Sequence, residues 1–299
     1  MISRVLLILF AFITMILRVA AQSPIVGVLE DVPGDYVGQP NIREVRVAFQ
    51  KSGHEWIAFP SDCPDLTCLK TSTLKFPREV TWNIGFDGEL LGQVTGRTPN
   101  DFKFYAHVGL QEVTSKAPIL TVGKRSAEFG GYTGASVYRP LVANSEPYFS
   151  DPNRWKPFQL APAEVQIFRR QFRHKFPKLC KSNEDETKLE PFAYRDQNIQ
   201  IIKAYASREG WKIAHLHLEG AIACDDVEAG FQIEDPWFAS DPRGLFHYLG
   251  SGMWLVDAGD YDNDGSSELV FSIDRENRGG YVLFYHDFRD RAVFEFGYH

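Results

Sequence analysis

The sequence predicts a mainly β protein made of antiparallel meander sheets, β-propeller-like or a β-sandwich, with one amphipathic helix inserted. Three observations lead there. Short runs rich in Val, Ile, Phe, Tyr and Trp recur along the chain, separated by Gly, Pro and Asp turns. A single segment, beginning at Pro162, places apolar residues three and four apart. The last quarter holds four strand-like runs, at 253–257, 268–273, 280–286 and 292–298, joined by short turns in the manner of a meander. Such a sheet cannot bury both faces alone, so its partners must be the earlier sheets.

From the start of the chain, residues 1–21 have the form of an export signal. Arg4 provides the positive end, 5–17 an apolar core too short to span a bilayer, and Val19, Ala20 and Ala21 the small residues before a cleavage point at Gln22. The reading implies a secreted or periplasmic protein with no stable membrane span after cleavage. A formal net charge of −7, more acidic still once Arg4 and Arg18 leave, argues against nucleic acid as a partner. Four cysteines, Cys63, Cys68, Cys180 and Cys224, suit disulfides in an oxidising compartment; they lack the paired C-x-x-C spacing of a zinc knuckle, and three pairings are open.

Residues 22–150 form an N-terminal β region, with candidate strands at 25–29, 44–49, 55–59, 80–86, 89–94, 102–108 and 118–122. The Gly-, Ser- and Lys/Arg-rich stretch 123–136 reads as an exposed loop. Residues 151–195 contain the helix and a charged linker. Pro162 fits the first turn, Glu164 suits the positive end of the dipole, Val165, Phe168, Phe172 and Phe176 form the apolar stripe, and Pro177 ends it. The opposite face is basic, with Arg169, Arg170, Arg173, His174 and Lys175. Residues 196–299 form a C-terminal β region that opens with a hairpin, 199–206 and 211–218. On its second strand a period of two puts His215, His217 and Glu219 on one face, a pattern able to hold a transition metal or to move protons. Asp225 and Asp226 follow as paired acids.

Between the first two meander strands lies Asp260-Tyr261-Asp262-Asn263-Asp264-Gly265-Ser266-Ser267-Glu268. Alternating carboxylates, a glycine for the sharp turn and a returning acid make an oxygen cage of the kind Ca²⁺ prefers. In the helix-loop-helix calcium site a bidentate Glu occupies the twelfth position; here that position is Phe271, the last acid comes at the ninth, and the following apolar run suits a strand. The stretch resembles one FG-GAP or VCBS repeat, the calcium-loop unit of integrin-type β-propellers, over residues 257–273. The resemblance implies Ca²⁺ as cofactor, with side-chain ligands at Asp260, Asp262, Asp264 and Glu268 and the backbone carbonyl of Ser266.

Signatures of catalysis are sparse: the sequence has no His-Glu-x-x-His, Gly-x-Ser-x-Gly or Gly-x-Gly-x-x-Gly motif. The expectation is therefore an exported calcium-binding β protein, a non-catalytic module for a protein or glycan ligand. The alternative is a secreted hydrolase that uses carboxylates or histidines such as His215, His217 and Asp225.

Overall fold

The structure, a computed structural model, describes residues 23–32, 42–61, 71–99, 107–116, 118–124, 138–182, 189–224, 235–275 and 277–297. The export signal, Cys63 and Cys68, Asp225 and Asp226, and most of the stretches 102–108 and 123–136 lie outside these residues.

The first half supplies β1 (Ile25–Val32), β2 (Ile42–Ser52), β3 (Glu55–Ala58), β4 (Glu79–Phe86), β5 (Glu89–Arg97) and β6 (Leu110–Val113). A short ribbon of β7 (Val122–Lys124) and β8 (Tyr138–Arg139) follows, and then β9 (Leu141–Asn144). β1 pairs with β2 on one edge and β9 on the other, so the order β1-β9-β4-β5-β6-β2 closes on itself as a six-stranded antiparallel barrel. Closure removes the open edges that a flat sheet would present. β2 is long enough to pair with β6 through residues 44–46 and with β3 through residues 49–52. The β4–β5 hairpin turns on Asp87 and Gly88, both at positive φ, which Asp-Gly tolerates and the strand twist favours. Inside, the fully buried Trp82 donates its indole N–H to Gln111 Oε1 at 2.8 Å. Gly96 makes room for that pair, since a Cβ there would lie 2.6 Å from Gln111 Oε1.

The second half contains β10 (Lys156–Pro157), α1 (Pro162–Lys175), β11 (Leu179–Ser182), β12 (Leu189–Pro191), β13 (Gln200–Ala206), β14 (Lys212–His217), β15 (Ile222–Ala223), β16 (Trp237–Ser240) and β17 (Phe246–Gly250). Five of these strands form an antiparallel sheet in the order β10-β13-β14-β16-β17, and β12-β11-β15 form a small sheet beside it. The Cys180–Cys224 disulfide, with Cα atoms 5.1 Å apart, staples that small sheet together. α1 begins at Pro162, Glu164 accepts a hydrogen bond from the Ala161 N–H at 2.8 Å, and the helix stops just before Phe176 and Pro177. Its buried Phe168 and Phe172 pack on Ala204, Ala214, Leu216 and Phe238 of the five-stranded sheet. Much of its basic face turns back onto the protein. Arg169 donates to the Ile199 carbonyl, Arg173 pairs with Asp196 and lies over Tyr194, and Lys175 lies over Tyr248.

The chain ends in the expected meander, β18 (Met253–Gly259), β19 (Glu268–Arg275), β20 (Arg278–Tyr285) and β21 (Asp290–Gly297), each strand paired with the next. Both of its faces are buried. Val270, Tyr281, Leu283, Tyr285, Phe294 and Phe296 join the barrel core. Leu269, Phe271, Ile273, Val282 and Phe284 join Ile213, Trp237 and Leu249 of the five-stranded sheet and Trp211 just before β14. On β20 the residues alternate between the two cores one by one, which is the period-two rule applied to a sheet covered on both sides. The molecule is thus layered as barrel, meander, five-stranded sheet and helix.

One polar stitch crosses the first of these boundaries. Arg46 on β2 forms a buried two-point contact with Glu30 on β1, at 2.9 and 3.2 Å, and Tyr281 on β20 donates its hydroxyl to Glu30 at 2.6 Å. Arg46 also donates to the Val108 carbonyl and stacks over Phe296, so this buried charge pair is satisfied from several sides.

Because the meander belongs to two cores, Phe271→Ala should cost about 3–5 kcal/mol. In urea its fluorescence and circular dichroism transitions should shift together, and separate transitions would show that the layers unfold independently. Opening the Cys180–Cys224 bridge by a double Cys→Ser change should cost about 2–4 kcal/mol, read in the same titration.

Candidate metal centre

Gly259 and Glu268 pair across β18 and β19, so the acidic loop leaves and re-enters the sheet at one point. Within it the carboxylates fold the backbone around themselves. Asp260 accepts the Asp264 N–H on Oδ1 and the Gly265 N–H on Oδ2, each at 2.9 Å. Asp262 Oδ1 accepts the Asp264 N–H at 3.2 Å, and Glu268 Oε2 accepts the Tyr261 N–H at 2.8 Å. Asn263 and Gly265 take positive φ at the bend, a conformation that Asn and Gly adopt with least strain. Oxygen atoms of Asp260, Asp262 and Glu268 consequently lie within 4.8 Å of one another, and this buried cluster can hold a metal ion. Asp264 is exposed, and its Oδ1 accepts the Ser266 N–H at 2.8 Å; Ser266 is exposed as well.

The loop is held from below by the end of β9 and the segment after it. Tyr261 is fully buried, edge-on to Phe149, and its carbonyl accepts the Asn144 side-chain N–H at 2.8 Å. Ser267 donates to Asp151 Oδ1 at 2.6 Å, and the Asp260 N–H reaches the Ser150 carbonyl. A Cβ on Gly259 would stand 2.8 Å from the Tyr261 ring, so glycine is needed for Tyr261 to turn inward.

Charge crowding shows in the acids themselves. Burial, reinforced by the Asp262 charge, pushes the Glu268 carboxyl up to about 8. Burial also raises Asp260. On the barrel side, the Lys51 ammonium on β2 is in ion-pair contact with Asp262 Oδ2, and the rings of Trp56 and Tyr285 flank it. Lys51, Trp56, Tyr285 and the inward role of Tyr261 escaped sequence reasoning. The three flanking residues come from strands far along the chain from Asp262 and carry no local motif.

The histidines of β14 are arranged differently from the expectation. The alternation holds, with Ala214 and Leu216 buried toward the helix and His215 on the opposite face, but the strand stops at His217 and Glu219 is exposed beyond it. Asp235, just before β16, takes the place expected for Glu219. Its Oδ1 lies 2.5 Å from His217 Nδ1 and its Oδ2 3.9 Å from His215 Nε2. His215 is buried and lies flat on Trp237, with ring centroids 4.6 Å apart.

Asp257 is a further buried acid, on the barrel side of β18. Its carboxylate accepts the Asp87 N–H at the β4–β5 turn, and burial pushes it up to about 7.

Comparison with family models, with curated proteins and with solved structures found no match for this chain. Fold and site together define a layered, disulfide-containing β protein with a buried carboxylate cluster able to hold a metal ion.

The Asp257 shift has a signed consequence. A carboxyl that holds its proton more tightly when folded than its usual value of 3.8 loses stability as pH rises from about 4 to about 7. Asp257→Asn should therefore raise the melting temperature more at pH 8 than at pH 5. Equal shifts at both values would mean that Asp257 ionises normally.

Proposed function

We propose that the chain is an exported, calcium-braced β protein that serves as a non-catalytic binding module for a protein or glycan ligand. The observation that supports it best is the convergence of the Asp260, Asp262 and Glu268 oxygens within 4.8 Å at a sheet-to-sheet junction. An all-oxygen donor set suits Ca²⁺, which accepts irregular geometry, better than Mg²⁺, which demands near-ideal octahedral geometry, or Zn²⁺, which favours nitrogen and sulfur. The resemblance of residues 257–273 to an FG-GAP or VCBS loop points the same way, with Asp264 and the Ser266 carbonyl completing the cage once an ion draws the loop in. The ion would lower the repulsion among buried acids and so fix the loop against the barrel. Export is supported by the form of residues 1–21 and by the Cys180–Cys224 disulfide.

A second reading, a secreted hydrolase, is favoured by the Asp235–His217 contact, which would fix the imidazole tautomer as in general-base catalysis. The clefts lined by Arg173 and Tyr194, by Phe158 and Ile202, and by Arg43 and Tyr138 contain none of His215, His217 or Asp235. A panel of ester and glycoside substrates separates the readings: turnover abolished by His217→Ala supports the hydrolase.

Since an ion that binds only the folded state stabilises it by mass action, Ca²⁺ at about 100 times its dissociation constant should add about 2.7 kcal/mol. The rise in melting temperature should be lost in Asp262→Ala. Identical melting of both proteins with and without millimolar calcium would falsify the calcium assignment.

A further inference from the structure

Lys51 is placed unusually for a lysine. Its side chain is 11% exposed, its ammonium is in contact with Asp262 Oδ2, and it lies 5.3 Å from the Trp56 ring and 5.9 Å from the Tyr285 ring. A surface lysine keeps its charge in water; this one has given up most of its hydration and is held between π faces. Asp262 Oδ2 is buried and makes no directed hydrogen bond, so its charge is met here by the ammonium. The buried indole N–H of Trp56 acts on the Glu268 carboxylate across the cluster and favours its charged form.

We propose that Lys51 is a resident counter-ion that competes with the divalent ion for Asp262, so that loading exchanges an ammonium for a metal. The proposal rests on the reading of Asp260, Asp262 and Glu268 as a cation site. Two positive charges a few ångströms apart in a poorly solvated pocket repel strongly, so metal and ammonium do not share one carboxylate oxygen. Without the metal, the ammonium partly neutralises the acids and keeps the loop close to its ligating shape. With it, Lys51 is released toward solvent past Trp56 and Tyr285. The exchange lowers affinity and makes the site respond only where the divalent ion is abundant.

Calorimetric titration with calcium chloride of the wild type and of Lys51→Met tests this. The variant should bind calcium at least about tenfold more tightly, because its competitor is gone. Its metal-free form should melt below the wild type, and saturating calcium should close that gap. Equal or weaker binding by the variant overturns the role of Lys51 while leaving the cation site standing; silence of both proteins toward calcium overturns the cation site itself. Wild-type protein provides an arm that does not depend on the variant folding. Acetylation of Lys51, followed by mass spectrometry, should run several-fold faster in calcium, and an unchanged rate would refute the exchange.

Discussion

The four-stranded sheet β18–β21 must satisfy two hydrophobic cores at once, and most of the architecture follows from that requirement. Along β20 each residue faces alternately the barrel and the five-stranded sheet, so a one-residue slip in register would exchange the side chains offered to the two cores. Register is further pinned by Tyr281 reaching Glu30 in the barrel, and by Asp87 in a barrel turn reaching Asp257 on β18. The acidic loop inherits this rigidity. It springs from paired residues of a sheet clamped on both sides, and Tyr261 drives its base into the barrel core.

That placement creates the electrostatic problem at the junction. A loop of acids in water would keep its charges apart at little expense, but here Asp260 and Glu268 are buried and Asp262 faces a barrel strand. Backbone N–H groups of the loop meet part of the charge and the Lys51 ammonium meets part, while burial, with the Asp262 charge beside it, raises the proton affinity of Glu268. Such frustration is tolerated where a surrounding structure over-determines the geometry, and it is common at sites that receive a charged ligand.

How far the sequence reveals this depends on the range of each interaction. The helix was legible because Pro162, Glu164, the Phe stripe and Pro177 all act within a few residues. The meander was legible because each turn joins neighbouring strands, and the inference that it could not stand alone agrees with its two buried faces. Barrel closure was not legible, since it depends on β9 returning to β1 and β4, and 141–144 is a run of only four residues with no alternation to mark it. β16 was missed for the same reason: all four of its residues are buried, so polarity never alternates. In the candidate site the loop acids announced themselves by spacing. Lys51, Trp56 and Tyr285 did not, because only the packing of β2, β3 and β20 brings them to Asp262. Asp235 stood beyond reach for a similar reason, since its approach to the histidines requires β16 to lie beside β14.

The contributions of Ala292, Phe294 and Phe296 to the barrel core bear on how the molecule is made. A ribosome delivers the barrel strands long before the side chains that seal their interior, and Glu30 awaits a hydroxyl 251 positions downstream. Vectorial folding of the barrel strands is therefore incomplete until the meander has been made, and their apolar surface stays open in the interval. A polypeptide wired in this way has high contact order and slow collapse to the native state.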